Sequence, residues 1–329
     1  MSVRLSKAGT TPWSAHRIAV FETFFAILPV FLLVLVGFAS AKTGWLPDGA
    51  GHVLNQYAVR IAVPALLFAA MVRLDFSQAF APPVLLAFYA GALACFVLGF
   101  AISRLVFSGS PERAVAVGFA ATFSNTVLLG LPITDRVYGD AELTVAYGIV
   151  SIHALTVYTV GMTAMEFAHP DNGDKRHRIA AGLRRIVGNP LLAGVAAGIV
   201  ANLAGLPLPQ PIMMAIDMLA ASAIPAALIG IGVSLSTLRI RSELSETLIV
   251  CGLLLIVHPA LAWTMGRFGL GLGETQIRGA TLLAAMPAGV NAYLFALLYD
   301  RGVRLSASVV MVSTMLSIFT ITGWIAFLG

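Results

Sequence analysis

The chain has 329 residues, of which 59% are hydrophobic and 11% charged, and it carries a net charge of +5. A soluble domain carries roughly 25% charged residues, so the composition excludes a pair of ordinary soluble domains although the length would suit one. Nucleic-acid binding is excluded as well, because the basic residues lie between apolar blocks and not along an amphipathic surface.

A hydrocarbon core about 30 Å thick is crossed by roughly 20 mostly apolar residues in a helix. Only helices and closed barrels satisfy their backbone polar groups in lipid, and barrel strands alternate polar with apolar over about 10 residues. No such alternation occurs here, so the chain is expected to be an all-α integral membrane protein. Residues 1–22 form a polar tail with Arg4, Lys7 and Arg17. The first apolar run ends at Ala39-Ser40-Ala41, which has the look of a signal-peptidase site. That run is matched by a later one, so it is kept as the first span.

Charge-poor stretches predict ten spans: 24–41, 53–72, 82–103, 114–134, 143–165, 186–203, 211–238, 247–266, 279–299 and 305–328. Cys95 and Cys251 fall inside spans 3 and 8 and do not suggest a disulfide framework. Spans 6 and 7 are joined by a turn with three prolines, Pro207, Pro209 and Pro211. The connections after the odd-numbered spans hold twelve cations: Lys42, Arg104, Arg113, Lys175, Arg176, Arg178, Arg184, Arg185, Arg239, Arg241, Arg301 and Arg304. The opposite connections hold four, Arg73, Arg136, Arg267 and Arg278. The richer side is expected to face the cytoplasm, which places both termini outside a cell inner (plasma) membrane.

The chain also resembles itself. Pro29, Gly37 and Gly44 recur as Pro190, Gly198 and Gly205, and Ala62-Val63-Pro64-Ala65 recurs as Ala223-Ile224-Pro225-Ala226. Val157-Tyr158-Thr159-Val160 recurs as Ile318-Phe319-Thr320-Ile321, and all these pairs share one offset of 161 residues. Five spans per half would invert the second half, a plan common in secondary transporters. The expected organisation is a first five-helix repeat over 23–169, a basic cytoplasmic loop over 170–185 and a second five-helix repeat over 186–329.

Spans 4 and 9 are the fourth of each half. Span 4 contains Ser124-Asn125-Thr126 and then Leu129-Gly130-Leu131-Pro132; span 9 contains Met286-Pro287-Ala288-Gly289-Val290-Asn291-Ala292-Tyr293. Each has a mid-span amide beside helix-breaking Gly and Pro. Unwound backbone beside a cavity can coordinate a substrate, and two helix N-termini would offer N–H groups to an anion. The blander account is that each asparagine joins two helices. Arg60 stands about 8 residues into span 2, roughly 12 Å deep at 1.5 Å per residue. A central arginine costs about 2.5–3.5 kcal/mol, so it either snorkels to the surface or faces a cavity and pairs with a carboxylate. His153 is read as a hydrogen-bonded core group or a site residue, and Asp217 as interfacial or ion-coupling.

The motifs around Asn125 and Asn291, with Val63-Pro64-Ala65-Leu66-Leu67-Phe68 and His258-Pro259, resemble those of the auxin efflux carrier family. That family includes the plant PIN-FORMED proteins and bacterial carriers, and is related to the bile acid symporter superfamily. The resemblance covers nearly the whole chain. It implies ten transmembrane helices in two inverted repeats, with broken helices 4 and 9 crossing at the site. Helices 1, 2, 6 and 7 would be the scaffold, and helices 3–5 and 8–10 the transport domain. It implies small organic anions as substrates, auxin-like in plants and malonate- or malate-like in bacteria. Ser124 and Ala292 stand where plant members carry proline, and His153 where the family has glutamine, beside Tyr158. Span 3 lacks the plant charged group and the loop after span 5 is short, so a compact bacterial-type carrier fits better.

The expected substrate site is therefore Ser124, Asn125, Thr126, Gly130, Pro132, His153, Tyr158, Met286, Pro287, Gly289, Asn291, Ala292, Tyr293 and Arg60. No cofactor, metal or catalytic residue is expected; the partners are the anion, the bilayer and, as an open option, a second copy of the chain. The alternatives are an anion channel, for which no ring of charges or carbonyl filter is found, and an intramembrane enzyme. Ser151 and His153 are two apart and do not share a helix face, and there is no HExxH or paired catalytic aspartate motif.

Overall fold

The computed structural model describes residues 28–74, 81–168, 188, 190–237 and 243–329. The expected polar tail and the basic loop after span 5 lie outside the described residues. Every regular element among the described residues is helical. In chain order these are α1 (Leu28–Lys42), α2 (Ala50–Arg73) and α3 (Pro82–Leu105), then α4 (Pro111–Ala120) and α5 (126–137). There follow α6 (Asp140–Ala168), α7 (Pro190–Leu203), α8 (Gln210–Thr237) and α9 (Leu244–Gly269). The chain closes with α10 (Glu274–Ala284), α11 (Val290–Tyr299) and α12 (Val303–Leu328). Among the described residues six helices, α2, α3, α6, α8, α9 and α12, are long and apolar enough to cross a membrane. Predicted spans 4 and 9 are each divided in two, as α4 with α5 and α10 with α11.

Helix starts follow local chemistry. Pro82 and Pro111 open α3 and α4, where a missing N–H costs nothing. Ser110 caps α4 by accepting from the Arg113 N–H at 3.3 Å. Three prolines inside helices have a different effect. Pro64, Pro132 and Pro259 each follow a widened π turn, over Ala58–Ala62, Thr126–Gly130 and Leu253–Val257. The proline ring clashes with the carbonyl four residues earlier, which belongs to Arg60, Leu128 or Leu255, the middle residue of the respective turn. Widening the turn moves that carbonyl aside.

The helices pack in two groups. α2 lies against α7 and α8, while α1 rests on α8 where Gly37 and Gly232 let the backbones approach too closely for any Cβ. On α7, Gly194 and Gly198 sit against the Pro64 and Phe68 carbonyls of α2 in the same way, the small-xxx-small contact of membrane helices. The second group joins α3 with α4 and α9, α6 with α4 and α10, and α12 with α9 and α11. Its core includes Phe119, Val157, Ala292, Phe295 and Val309.

Two ion pairs alter the charge reading. Arg113, counted as a loop cation, lies in the first turn of α4 and forms a fork to Glu246 of α9 at 2.9 and 2.6 Å. It also donates to Ser103 Oγ at 3.0 Å and lies 3.3 Å from Glu243. Arg73 pairs with Asp217 at 2.8 Å across α2 and α8, both exposed. Asp217, two turns into α8, is thus engaged by Arg73 at the end of α2.

Candidate functional site

The site begins where α4 and α10 stop. Asn125 leaves helical geometry at φ −77°, ψ 60°, and its side-chain oxygen caps α5 by accepting from the Leu128 N–H at 3.2 Å. In α10 the helix ends at Ala284, and Pro287 brings no N–H with which to continue it. Exposed backbone groups at membrane depth need partners, and the two breaks supply each other. Asn125 N–H donates to the Pro287 carbonyl at 2.7 Å, and Gly289 N–H donates to the Phe123 carbonyl at 2.9 Å. Ser124 and Ala288 form an isolated antiparallel bridge between these bonds. Ala288 N–H donates to Ser313 Oγ of α12 at 3.1 Å.

This corrects one expectation. Two of the N–H groups freed at the breaks are consumed by the pairing and cannot serve an anion. The N–H groups of Val127, Val290 and Asn291, in the first turns of α5 and α11, have no partner among the described residues. All three residues line a cavity of about 600 Å³.

Of the expected site residues, the cavity wall contains Arg60, Ser124, Asn125, Thr126, His153, Gly289, Asn291 and Tyr293. The other six are not in the wall. Tyr158 stands behind Asn291, its hydroxyl donating to Asn291 Oδ1 at 3.3 Å. Pro287 gives its carbonyl to the bridge. Met286 and Ala292 are fully buried in the core. Gly130 and Pro132 are buried in α5, where the Gly130 N–H donates to the Asn125 carbonyl at 3.0 Å. These six shape the breaks from behind.

His153 is 2% exposed, and neither ring nitrogen has a hydrogen-bond partner; the Ser124 hydroxyl is also buried without one. His153 thus lies in the cavity wall and is at the same time buried among core aromatic rings. Arg60 is exposed in the cavity wall, and no acid among the described residues pairs with it.

Sequence reasoning missed His52, Gln56, Asn55 and Ser234, which also line the cavity. His52 and Gln56 are bonded at 2.8 Å, and Asn55 donates to Ser234 Oγ at 2.7 Å. A signal was present: His52, Gln56 and Arg60 recur every fourth residue and so share one helix face. Among the described residues no cluster of three His, Cys, Asp or Glu side chains could hold a metal ion.

Apolar helices of spanning length around a cavity with a few convergent polar groups define a multi-pass membrane protein with a cavity of ligand-binding size. Comparison with known proteins makes the class specific. The family described as "Membrane transport protein" matches residues 23–325, and the chain belongs to that family, the auxin efflux carriers. It is a family of transporters and not of enzymes. The chain is 26% identical over 298 residues to a Rhizobium meliloti (strain 1021) protein named "Putative malonate transporter", covering 90% of this chain and 93% of that one. It is likewise 26% identical over 308 residues to an "Uncharacterized transporter" of Methanothermobacter thermautotrophicus, covering 91% and 96%. A third relative, the "Lysosomal cholesterol signaling protein" of Mus musculus, is 26% identical over 93% of this chain but only 38% of its own length.

Proposed function

We propose that this transporter is a secondary carrier of small organic anions, mono- or dicarboxylates, bound where the two helix breaks meet. One observation carries the reading: two helix N-termini, two asparagine amides and Arg60, which no acid among the described residues pairs with, converge on one cavity. Helix N-termini hold a partial positive charge and unpaired donors suited to a carboxylate. The name of the Rhizobium relative makes malonate the first substrate to test. Within this reading, α4 with α5 and α10 with α11 are the crossed, broken helices of two inverted five-helix repeats. The packing of α1, α2, α7 and α8 supports their role as a scaffold against which the other helices move, an elevator form of alternating access.

A thermal-shift screen of the purified protein against mono- and dicarboxylates tests the substrate class, since a ligand that favours the folded state raises apparent stability. Saturable, trans-stimulated uptake of the best ligand separates a carrier from a channel. Arg60→Gln is expected to weaken carboxylate uptake more than Arg60→Lys, because an ammonium keeps the charge but loses the planar fork. Normal uptake by both folded variants would return Arg60 to a snorkelling role.

Both termini are proposed to lie outside. A cysteine placed at Gly139 should react with an impermeant reagent added from outside, and one at Gly173 should not. The reverse labelling pattern would invert the assignment.

A further inference from the structure

Resting on the anion reading above, the geometry points to a second ligand of the same site. We propose that His153 binds one proton with each anion, so that the anion crosses as an imidazolium–carboxylate pair. The proton comes from water on the loading side, sits on a ring nitrogen while the anion is bound, and returns to water on the other side. No covalent bond is made or broken other than this N–H.

The first support is the state of the ring. His153 forms part of the cavity wall, buried, with the Ser124 backbone beside the ring and neither nitrogen in a well-formed hydrogen bond. Burying a polar group without a strong partner is destabilising, and a bound carboxylate would supply an acceptor. The described residues around the ring offer no other counter-charge. From α3, Phe88 meets the ring edge-on at 5.6 Å and Tyr89 stacks at 6.1 Å, its hydroxyl committed to the Ile149 carbonyl at 3.0 Å. From the first break, Phe123 meets it at 5.0 Å. From α9, His258 lies behind Phe88, with Nε2 at 3.1 Å from the Phe88 carbonyl. The other titratable groups of the cavity wall are Tyr293 on α11 and, on α2, His52 and Arg60.

The second support is where those cations sit. Arg60 and His52 are on α2, which packs with α7 and α8. Among the described residues of the second packing group, His153 is the one side chain in the cavity wall able to carry positive charge. An anion that moves with that group leaves Arg60 behind. An uncompensated charge in a low-dielectric interior costs several kcal/mol. A proton on His153 removes that cost, because it travels on the same helices as the anion.

Malonate binding to the full-length purified protein, followed by calorimetry in two buffers of different ionisation enthalpy, counts the protons. At pH values where malonate is fully ionised, uptake of about one proton per anion is expected. Over the range where the free ring is neutral and the bound ring charged, affinity should fall about tenfold per unit rise in pH. His153→Gln keeps a hydrogen-bond donor without a titrating nitrogen, and its affinity should not vary with pH. Anion binding by the wild type with no proton uptake, or an unchanged pH slope in His153→Gln, overturns this proposal alone. Failure of the wild type to bind malonate or any other carboxylate overturns the anion reading and this proposal with it.

Discussion

Asn125→Ala and Asn291→Ala are each expected to weaken carboxylate binding by about 10- to 150-fold. That range corresponds to losing one charge-assisted hydrogen bond, roughly 1.5–3 kcal/mol. Both amides are in the wall of one cavity. Their oxygens are already engaged, Asn125 with the Leu128 N–H and Asn291 with the Tyr158 hydroxyl, so the NH₂ groups are left to meet the anion. Alanine at 125 also removes a helix cap, which costs about 1 kcal/mol of stability. Asn125→Asp separates the two effects: it keeps the capping oxygen but turns a donor into a repelling acceptor. It should fold at least as well as the alanine variant and bind the anion more weakly. If both amides hold one ligand, the double alanine variant should lose less than the sum of the single losses. Strict additivity, measured by titration of the four proteins, would separate the two residues into independent roles.

Arg113→Ala is expected to destabilise the fold by about 3–5 kcal/mol, the range for breaking a buried ion pair by removing one partner. The Glu246 side chain is only 1% exposed, and both its oxygens are taken by the guanidinium fork. Replacing both partners with apolar residues, as Arg113→Met with Glu246→Leu, should restore much of the loss, because no charge is then stranded. Apparent melting temperature in detergent reads the difference. A single variant as stable as the double would show that water reaches Glu246 and solvates it.

Much of this protein is legible in its sequence, and the boundary is physical. Lipid demands long apolar runs, so the six helices long enough to cross a membrane could be located from composition alone. The breaks in spans 4 and 9 were visible because Asn125, Pro287 and Gly289 are costly in mid-helix and few other residues explain them. What two distant breaks do to each other was not visible: the bonds between residues 123–125 and 287–289 are set by tertiary packing. The fork between Arg113 and Glu246 spans 133 residues and is hidden for the same reason. Arg113 was counted as a free loop charge although the fold neutralises it. The polar stripe of His52, Gln56 and Arg60 was legible at helical spacing, but Arg60 alone drew notice because it alone was costly by composition. His153 is the reverse case. Its type alone suggested a satisfied core group, the family resemblance suggested a site residue, and only the fold places it in the cavity wall.

The bridge between the two breaks has a mechanical consequence. Two backbone hydrogen bonds, at 2.7 and 2.9 Å, clasp residues 123–125 to residues 287–289. A clam-shell motion that released cargo by parting the halves of its own seat would have to tear both bonds in a place where water is scarce to replace them. Keeping them closed makes the two seats a single rigid cradle. In the proposed elevator cycle, release then comes from a change in what the cradle faces, as α2 and α8 give way to an aqueous opening. Cross-linking the breaks should leave such a cycle running, whereas cross-linking α2 to α6 should arrest it.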